Sequence, residues 1–131
     1  MSVQPRITRI ATTWPGNFVA DDLVIPCVGA ADTPLSAVLG TLKQDVVACT
    51  YAGNSITVTF APQTLQTGVT VVPSLELGTA AALEVAVDAI DLTAQTLAIR
   101  FRTMAGGTST PPSVGTGARL VLAIFRPLPY R

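Results

Sequence analysis

Apolar and polar side chains alternate along two neighbouring stretches in the middle of the chain. Every second residue is apolar over 83–87 and again over 97–101. Because successive side chains of a β-strand point to opposite faces, this period of two predicts two half-buried strands. Folding the chain back through 91–96 brings the two apolar rows together, so the sequence predicts a β-hairpin over 83–102.

The polar face of this hairpin carries charges of opposite sign. The predicted fold places Glu84 and Asp88 near Arg100 and Arg102, where opposite charges across a strand pair are slightly stabilising. A slip of one residue would turn both apolar rows outward, so the pairing register is well specified.

Shorter stretches of the same kind predict further strands on either side of the hairpin. They lie near 7–14, from 18 or 23 to 28, and at 46–51, 55–60, 69–77 and 119–126. Turn-forming residues separate them, including 14–17 (Trp-Pro-Gly-Asn), 53–54 (Gly-Asn) and the long loop 105–117. Seven to nine short strands at these spacings predict an all-β protein, a β-sandwich or jelly-roll-like fold. We expect one domain over 1–131, with 1–9 as an extended N-terminal arm.

The stretch 119–126 differs from the other predicted strands because it is apolar on both faces. That pattern predicts a central or sandwiched strand rather than an edge. Left exposed, such a strand would promote aggregation.

One stretch has helical rather than strand spacing. Thr33 is a suitable N-cap, Pro34 suits the first helical position, and apolar residues follow at helical intervals. Gly40 weakens the pattern by about 1 kcal/mol relative to alanine. The sequence therefore predicts one short helix over 34–43.

Charged residues are scarce and balanced. They make up 12% of the chain, against about 25% in an average soluble domain, and eight acidic residues offset eight basic ones. The chain therefore has no basic patch for nucleic acid and no polybasic segment for a membrane surface. The longest apolar run, 120–125, is far shorter than the roughly 20 residues of a spanning helix. So few charges predict that the protein hides surface against copies of itself or against a partner.

The sequence contains few residues that could support catalysis or metal binding. The chain contains no histidine, which excludes triads with an imidazole base and most zinc sites. The glycine-rich part of the 105–117 loop lacks the Lys-Ser/Thr pair of a phosphate-binding loop. Acidic pairs such as Asp21-Asp22 are read as solvated turns or ion-pair partners. We therefore expect no enzyme activity, no cofactor and no metal.

The two cysteines, Cys27 and Cys49, do not form a C-x-x-C pair. Residues 1–10 contain no apolar signal-peptide core, so we expect synthesis in a cytosol and free buried thiols. Five arginines gather toward the C-terminus, and pairing with acidic residues between subunits is the expected role. Trp14 and Tyr130 are the candidate sugar-stacking aromatics, although core or interface packing is the simpler role for both.

These features resemble a known class of protein. A small chain without histidine, poor in lysine and rich in Ala, Val and Thr is similar to the virion proteins of tailed bacteriophages, in particular the head decoration (cement) proteins. The segments 84–88 (Glu-Val-Ala-Val-Asp), 96–101 (Thr-Leu-Ala-Ile-Arg-Phe) and 119–125 (Arg-Leu-Val-Leu-Ala-Ile-Phe) also resemble the knob modules of phage fibres and related lectin-like sandwiches.

The resemblance implies a structural protein that decorates a phage head as a symmetric oligomer, a trimer, bound to the major capsid protein. It implies a location in the virion after assembly in the cytoplasm of the host bacterium. The alternative is a receptor- or glycan-binding knob of a tail fibre. The expected contact residues lie in the arm, in the 105–117 loop and near the C-terminus: Arg6, Ile7, Arg9, Trp14, Thr108, Pro111, Pro112, Arg126 and Tyr130.

Overall fold

A computed structural model describes residues 18–80 and 82–127. This part of the chain forms seven β-strands: β1 Phe18–Pro26, β2 Val46–Ala52, β3 Ser55–Phe60, β4 Thr70–Glu76, β5 Leu83–Asp91, β6 Thr96–Thr103 and β7 Arg119–Pro127. The strand predicted near 7–14 and the turn predicted at 14–17 lie outside the described residues.

The strands form two antiparallel sheets. One has three strands in the order β1-β7-β4, and the other has four in the order β2-β3-β6-β5. The prediction of an all-β, sandwich-like fold with little helix is confirmed. No helix in the described residues is long and apolar enough to cross a membrane.

The predicted hairpin is the β5–β6 pair. Val85 lies opposite Phe101 and Val87 lies opposite Ile99, as the alternation requires. A register shift at Asp88 marks a β-bulge. Glu84 and Asp88 nevertheless form ion pairs with Arg102 and Arg100 on the outer face, which confirms the predicted charge pairing.

The closing strand β7 lies in the middle of the three-stranded sheet, between β1 and β4. This confirms the central position predicted from its two apolar faces. Its inward side chains pack against the inward rows of the other sheet. The fully buried core comprises Leu23, Ile25, Val38, Val58, Leu97, Ile99, Phe101, Leu120, Leu122 and Ile124.

Cys27 and Cys49 belong to the buried core and are not bonded to each other. Free buried thiols were the expected state, and the structure confirms it. Burial raises the pKa of both thiols to about 11, because removal from water penalises the charged thiolate.

The helix predicted over 34–43 is wrong. The segment contains two separate 3₁₀ turns, Leu35–Ala37 and Lys43–Asp45, divided by extended backbone at Val38. Leu39 instead forms a β-bridge with Val24 of β1, through hydrogen bonds in both directions of 2.7 and 3.0 Å. Tertiary pairing to an open strand edge has therefore overridden the local helical spacing.

Gly40 permits this departure from the helix. Its φ of +122° lies in a region that residues with side chains rarely adopt, and a Cβ atom there would collide with the carbonyl oxygen of Asp22. Gly53, in the β2–β3 turn, also has a positive φ of 65°, but a Cβ atom there would meet nothing within 4 Å.

A left-handed backbone conformation alone costs a residue with a side chain roughly 1–2 kcal/mol. We expect Gly40→Ala to lower the free energy of unfolding by well over this amount. Gly53→Ala, the matched control, should cost only about 1–2 kcal/mol. Urea denaturation of both variants measures the difference. Equal losses would contradict the close approach of Gly40 to β1.

Candidate interaction surface

The three-stranded sheet has an outer face on which most positions are apolar. Alternation along β1, β4 and β7 sends one row of each strand into the core and the other row outward. The outward positions also include Asp22, Thr70, Ser74, Glu76 and Arg119. We call the apolar set, with Leu39 beside β1, the outer apolar face; it comprises Phe18, Ala20, Val24, Leu39, Val72, Val121, Ala123 and Phe125. The outer apolar face therefore extends across all three strands, with β7 in the middle.

Several of these side chains are well exposed. Leu39 is 53% exposed, Val72 is 52% and Phe18 is 38%. Single exposed apolar residues are ordinary on protein surfaces, but an apolar patch on one sheet is a candidate interaction surface.

Charges occur only at the margins of this face among the described residues. Arg119 and Glu76 pair across β7 and β4 at one end, with Nε 2.7 Å from Oε1. Asp22 lies on β1 at the lateral edge. The middle of the face is therefore neutral.

The outer face of the four-stranded sheet is chemically different. Its outward positions are mostly threonine, serine and alanine, together with the two ion pairs of the β5–β6 hairpin, and exposed Val47 lies at the register shift in β2. The small side chains are Ala48, Thr50, Ala52, Ser55, Thr57, Thr59, Thr96 and Ala98. Hydroxyl groups keep that sheet hydrated without full charge, so the two faces of the sandwich are unequal.

The arginines of the described part pair within the chain. Arg126 lies 2.9 Å from Asp21, and the other three pair with Glu76, Glu84 and Asp88. Each of these four arginines therefore has an acidic partner within its own chain, and pairing between subunits stays a prediction. Arg131 lies outside the described residues.

A groove of about 380 Å³ opens at one end of the outer apolar face. Phe18, Ala20, Thr70 and Phe125 line it. Phe18 begins β1, and it is paired with Pro127 at the end of β7. The chain therefore enters and leaves the described fold beside this groove.

The free edge of β1 is closed by a reciprocal contact with Thr41. The Thr41 N–H donates to Asp22 Oδ1 at 2.8 Å, and the Asp22 N–H donates to the Thr41 hydroxyl at 2.9 Å. The Thr41 hydroxyl in turn donates to Asp21 Oδ1 at 3.0 Å. Hydrogen bonding by Thr41, led by its N–H, holds the pKa of the Asp22 carboxyl below its usual value of 3.8.

The residues predicted as contacts are scattered. Thr108 of the 105–117 loop is exposed and forms a β-bridge with Arg102, whereas Pro111 and Pro112 are buried. The Pro112 carbonyl accepts a hydrogen bond from Gly29 N–H at 2.9 Å, which fastens this half of the loop to the body. Arg126 is half-buried in its pair with Asp21. Arg6, Ile7, Arg9, Trp14 and Tyr130 lie outside the described residues.

A second, more polar groove of about 500 Å³ lies at the opposite sheet. Tyr51, Gly53, Asn54 and the stretch 108–110 line it. It combines one half-buried aromatic ring with hydroxyl and amide groups. Sequence reasoning did not single out Tyr51, because only the fold brings the β2–β3 turn beside the 105–117 loop.

Within 18–80 and 82–127, no three Cys, Asp or Glu side chains converge in a way that could hold a metal ion. Comparison of the chain with protein-family models, with curated proteins and with solved structures finds no match. The candidate interaction surface is therefore identified from the geometry of the chain alone. The outer apolar face is its most distinctive part.

We expect Asp22→Asn to destabilise the fold at pH 7 and to have a smaller effect in acid. A carboxylate whose folded pKa is depressed stabilises the fold above its unfolded pKa, and this contribution is lost as the pH falls through the folded pKa. Urea denaturation of both proteins at pH 7 and well below pH 3.8 measures the change. A difference that is independent of pH would contradict the role of the ionised form.

Proposed function

We propose that this chain is a structural virion protein that decorates a phage head as a symmetric oligomer, and that copies pack through the outer apolar face. The observation that carries the proposal is the contrast between the two outer faces. One face is hydrated by hydroxyls and ion pairs, whereas the other presents valine, leucine and phenylalanine. The resemblance to decoration proteins supports a trimer and a role on the capsid.

A second copy of the chain is the occupant that fits this face best. The described arginine on this face, Arg119, is paired with Glu76, so its charge is not left free to attract an acidic partner. A neutral apolar face is complementary to another of the same kind, and closed symmetric homo-oligomers are the commonest assemblies.

Attachment to the major capsid protein would use other parts of the chain. We assign it to the arm 1–9 and to the exposed part of the 105–117 loop around Thr108, since Pro111 and Pro112 are buried. Each contact adds buried area between neighbouring capsid subunits, which would resist internal pressure without any chemical step. Assembly would take place in the cytoplasm of the host bacterium.

Val72→Glu should dissociate the oligomer, because the glutamate would be buried in the interface without a partner. Val47→Glu is the matched control: Val47 is 55% exposed, against 52% for Val72, and lies on β2 of the other sheet. Light scattering after size exclusion measures the mass of each variant, and thermal unfolding verifies that both fold.

The proposal predicts an oligomer for wild type and Val47→Glu, and a smaller species for Val72→Glu. An unchanged mass for Val72→Glu, in a protein that remains folded, would contradict assembly through this face. Dissociation by both variants would locate the contact elsewhere.

The alternative function is a glycan- or receptor-binding knob of a phage fibre. The groove beside Tyr51 favours it, because an aromatic ring next to hydroxyl and amide groups is the arrangement that stacks and hydrogen-bonds a sugar. The same groove is compatible with a decoration protein if it stays unoccupied in the virion.

A glycan array distinguishes the two functions. A fibre knob should bind a restricted set of glycans, lose binding in Tyr51→Ala and retain most of it in Tyr51→Phe, which keeps the ring. A decoration protein should show no selective binding. Selective binding that survives Tyr51→Ala would exclude this groove as the site.

A further inference from the structure

We propose that Trp14 of the same chain fills the groove formed by Phe18, Ala20, Thr70 and Phe125. The groove is apolar on three sides, holds about 380 Å³ and opens where β1 begins. Trp14 is the single tryptophan of the chain and precedes Phe18 by four positions. The proposal does not depend on the oligomer or on the virion function.

The sequence between Trp14 and the groove is suited to turning the chain back. In Trp14-Pro15-Gly16-Asn17 the proline and glycine occupy the two central positions. This is the residue order of a type II turn, in which the first and fourth Cα atoms lie within about 7 Å. Because Asn17 adjoins Phe18, such a turn brings the indole to the mouth of the groove.

The chemistry of the two sides of β1 selects the outer side. On the inner side at this end, Asp21 pairs with Arg126, which also donates to the Thr64 carbonyl. Insertion of an indole there would disrupt a partly buried ion pair. On the outer side the indole would meet two phenyl rings, an arrangement that stabilises aromatic pairs beyond their buried area.

A tight hairpin with β1 is not the expected continuation. Two-residue hairpins favour the mirror-image turn types, because type II turns splay the flanking strands. A tryptophan buries roughly 150–250 Å², and the Thr70 hydroxyl is available to its indole N–H.

Docking of Trp14 would fix the point on the sheet from which the N-terminal segment extends. The arm 1–9 would then start from one end of the outer apolar face instead of from an unanchored linker. Such an anchor restricts where the arm can reach, and restriction of a flexible segment before binding lowers the entropy lost on attachment.

Fluorescence tests the proposal directly, since all tryptophan emission comes from Trp14. In the folded full chain the emission should lie at shorter wavelength than in the urea-unfolded chain, and acrylamide should quench it more weakly. Phe125→Ala should shift the emission to longer wavelength and increase quenching. Leu92→Ala, at a residue 39% exposed in the β5–β6 turn, should change neither.

A second measurement avoids substitution. Nuclear Overhauser contacts between the Trp14 indole and the rings of Phe18 and Phe125 are expected in the wild-type protein. Emission at the wavelength of the unfolded chain, or absence of these contacts, would overturn the proposal, as would a folded Phe125→Ala protein with an unchanged spectrum.

Val72→Glu separates this proposal from the proposed oligomer. If Trp14 docks on its own chain, the dissociated variant keeps the short-wavelength emission at every concentration. If the emission moves to longer wavelength on dissociation, a neighbouring copy covers Trp14, and docking within the chain is excluded. If Val72→Glu leaves the oligomer intact, the proposed interface is wrong. The fluorescence result then still tests whether Trp14 fills the groove.

Discussion

The strand β7 imposes the constraint on which the rest of the structure depends. It is apolar on both faces, and hydrogen bonding to β1 and β4 satisfies its backbone on both sides. The sandwich buries one of its two rows, through Leu120, Leu122 and Ile124. The other row remains on the outer face, where burial of apolar area against further protein would lower the free energy by about 25 cal/mol per Å².

Charged side chains are also distributed differently on the two outer faces of the sandwich. Four ion pairs lie within the described chain, two of them on the outer face of the four-stranded sheet and one at an end of the outer apolar face. The fourth, Asp21–Arg126, lies on the inner side of the three-stranded sheet beside the groove. Asp21–Arg126 is partly buried. The three exposed pairs contribute little to stability, but their placement decides which surface is solvated. The chain has few other charges, so the outer apolar face is left without any in its middle.

The sequence predicted the strands well because their side-chain period is two and their turns contain glycine, proline or asparagine. It also predicted the register of β5–β6 and the central position of β7. The helix predicted over 34–43 was wrong. Local spacing cannot show that the edge of β1 is open and that Leu39 will pair with Val24. Val72 and the groove beside Tyr51 were missed for a similar reason: each depends on which strands and loops become neighbours. The two apolar faces of β7 were the one available signal for the outer apolar face.

Sedimentation equilibrium of the wild-type protein over a range of micromolar concentrations tests the central claim most directly. If the outer row of β7 is covered by other copies, the mass should be a whole-number multiple of the monomer, three for a trimer, with dissociation only on dilution. A stable monomer that shows no self-association at any of these concentrations would contradict the account.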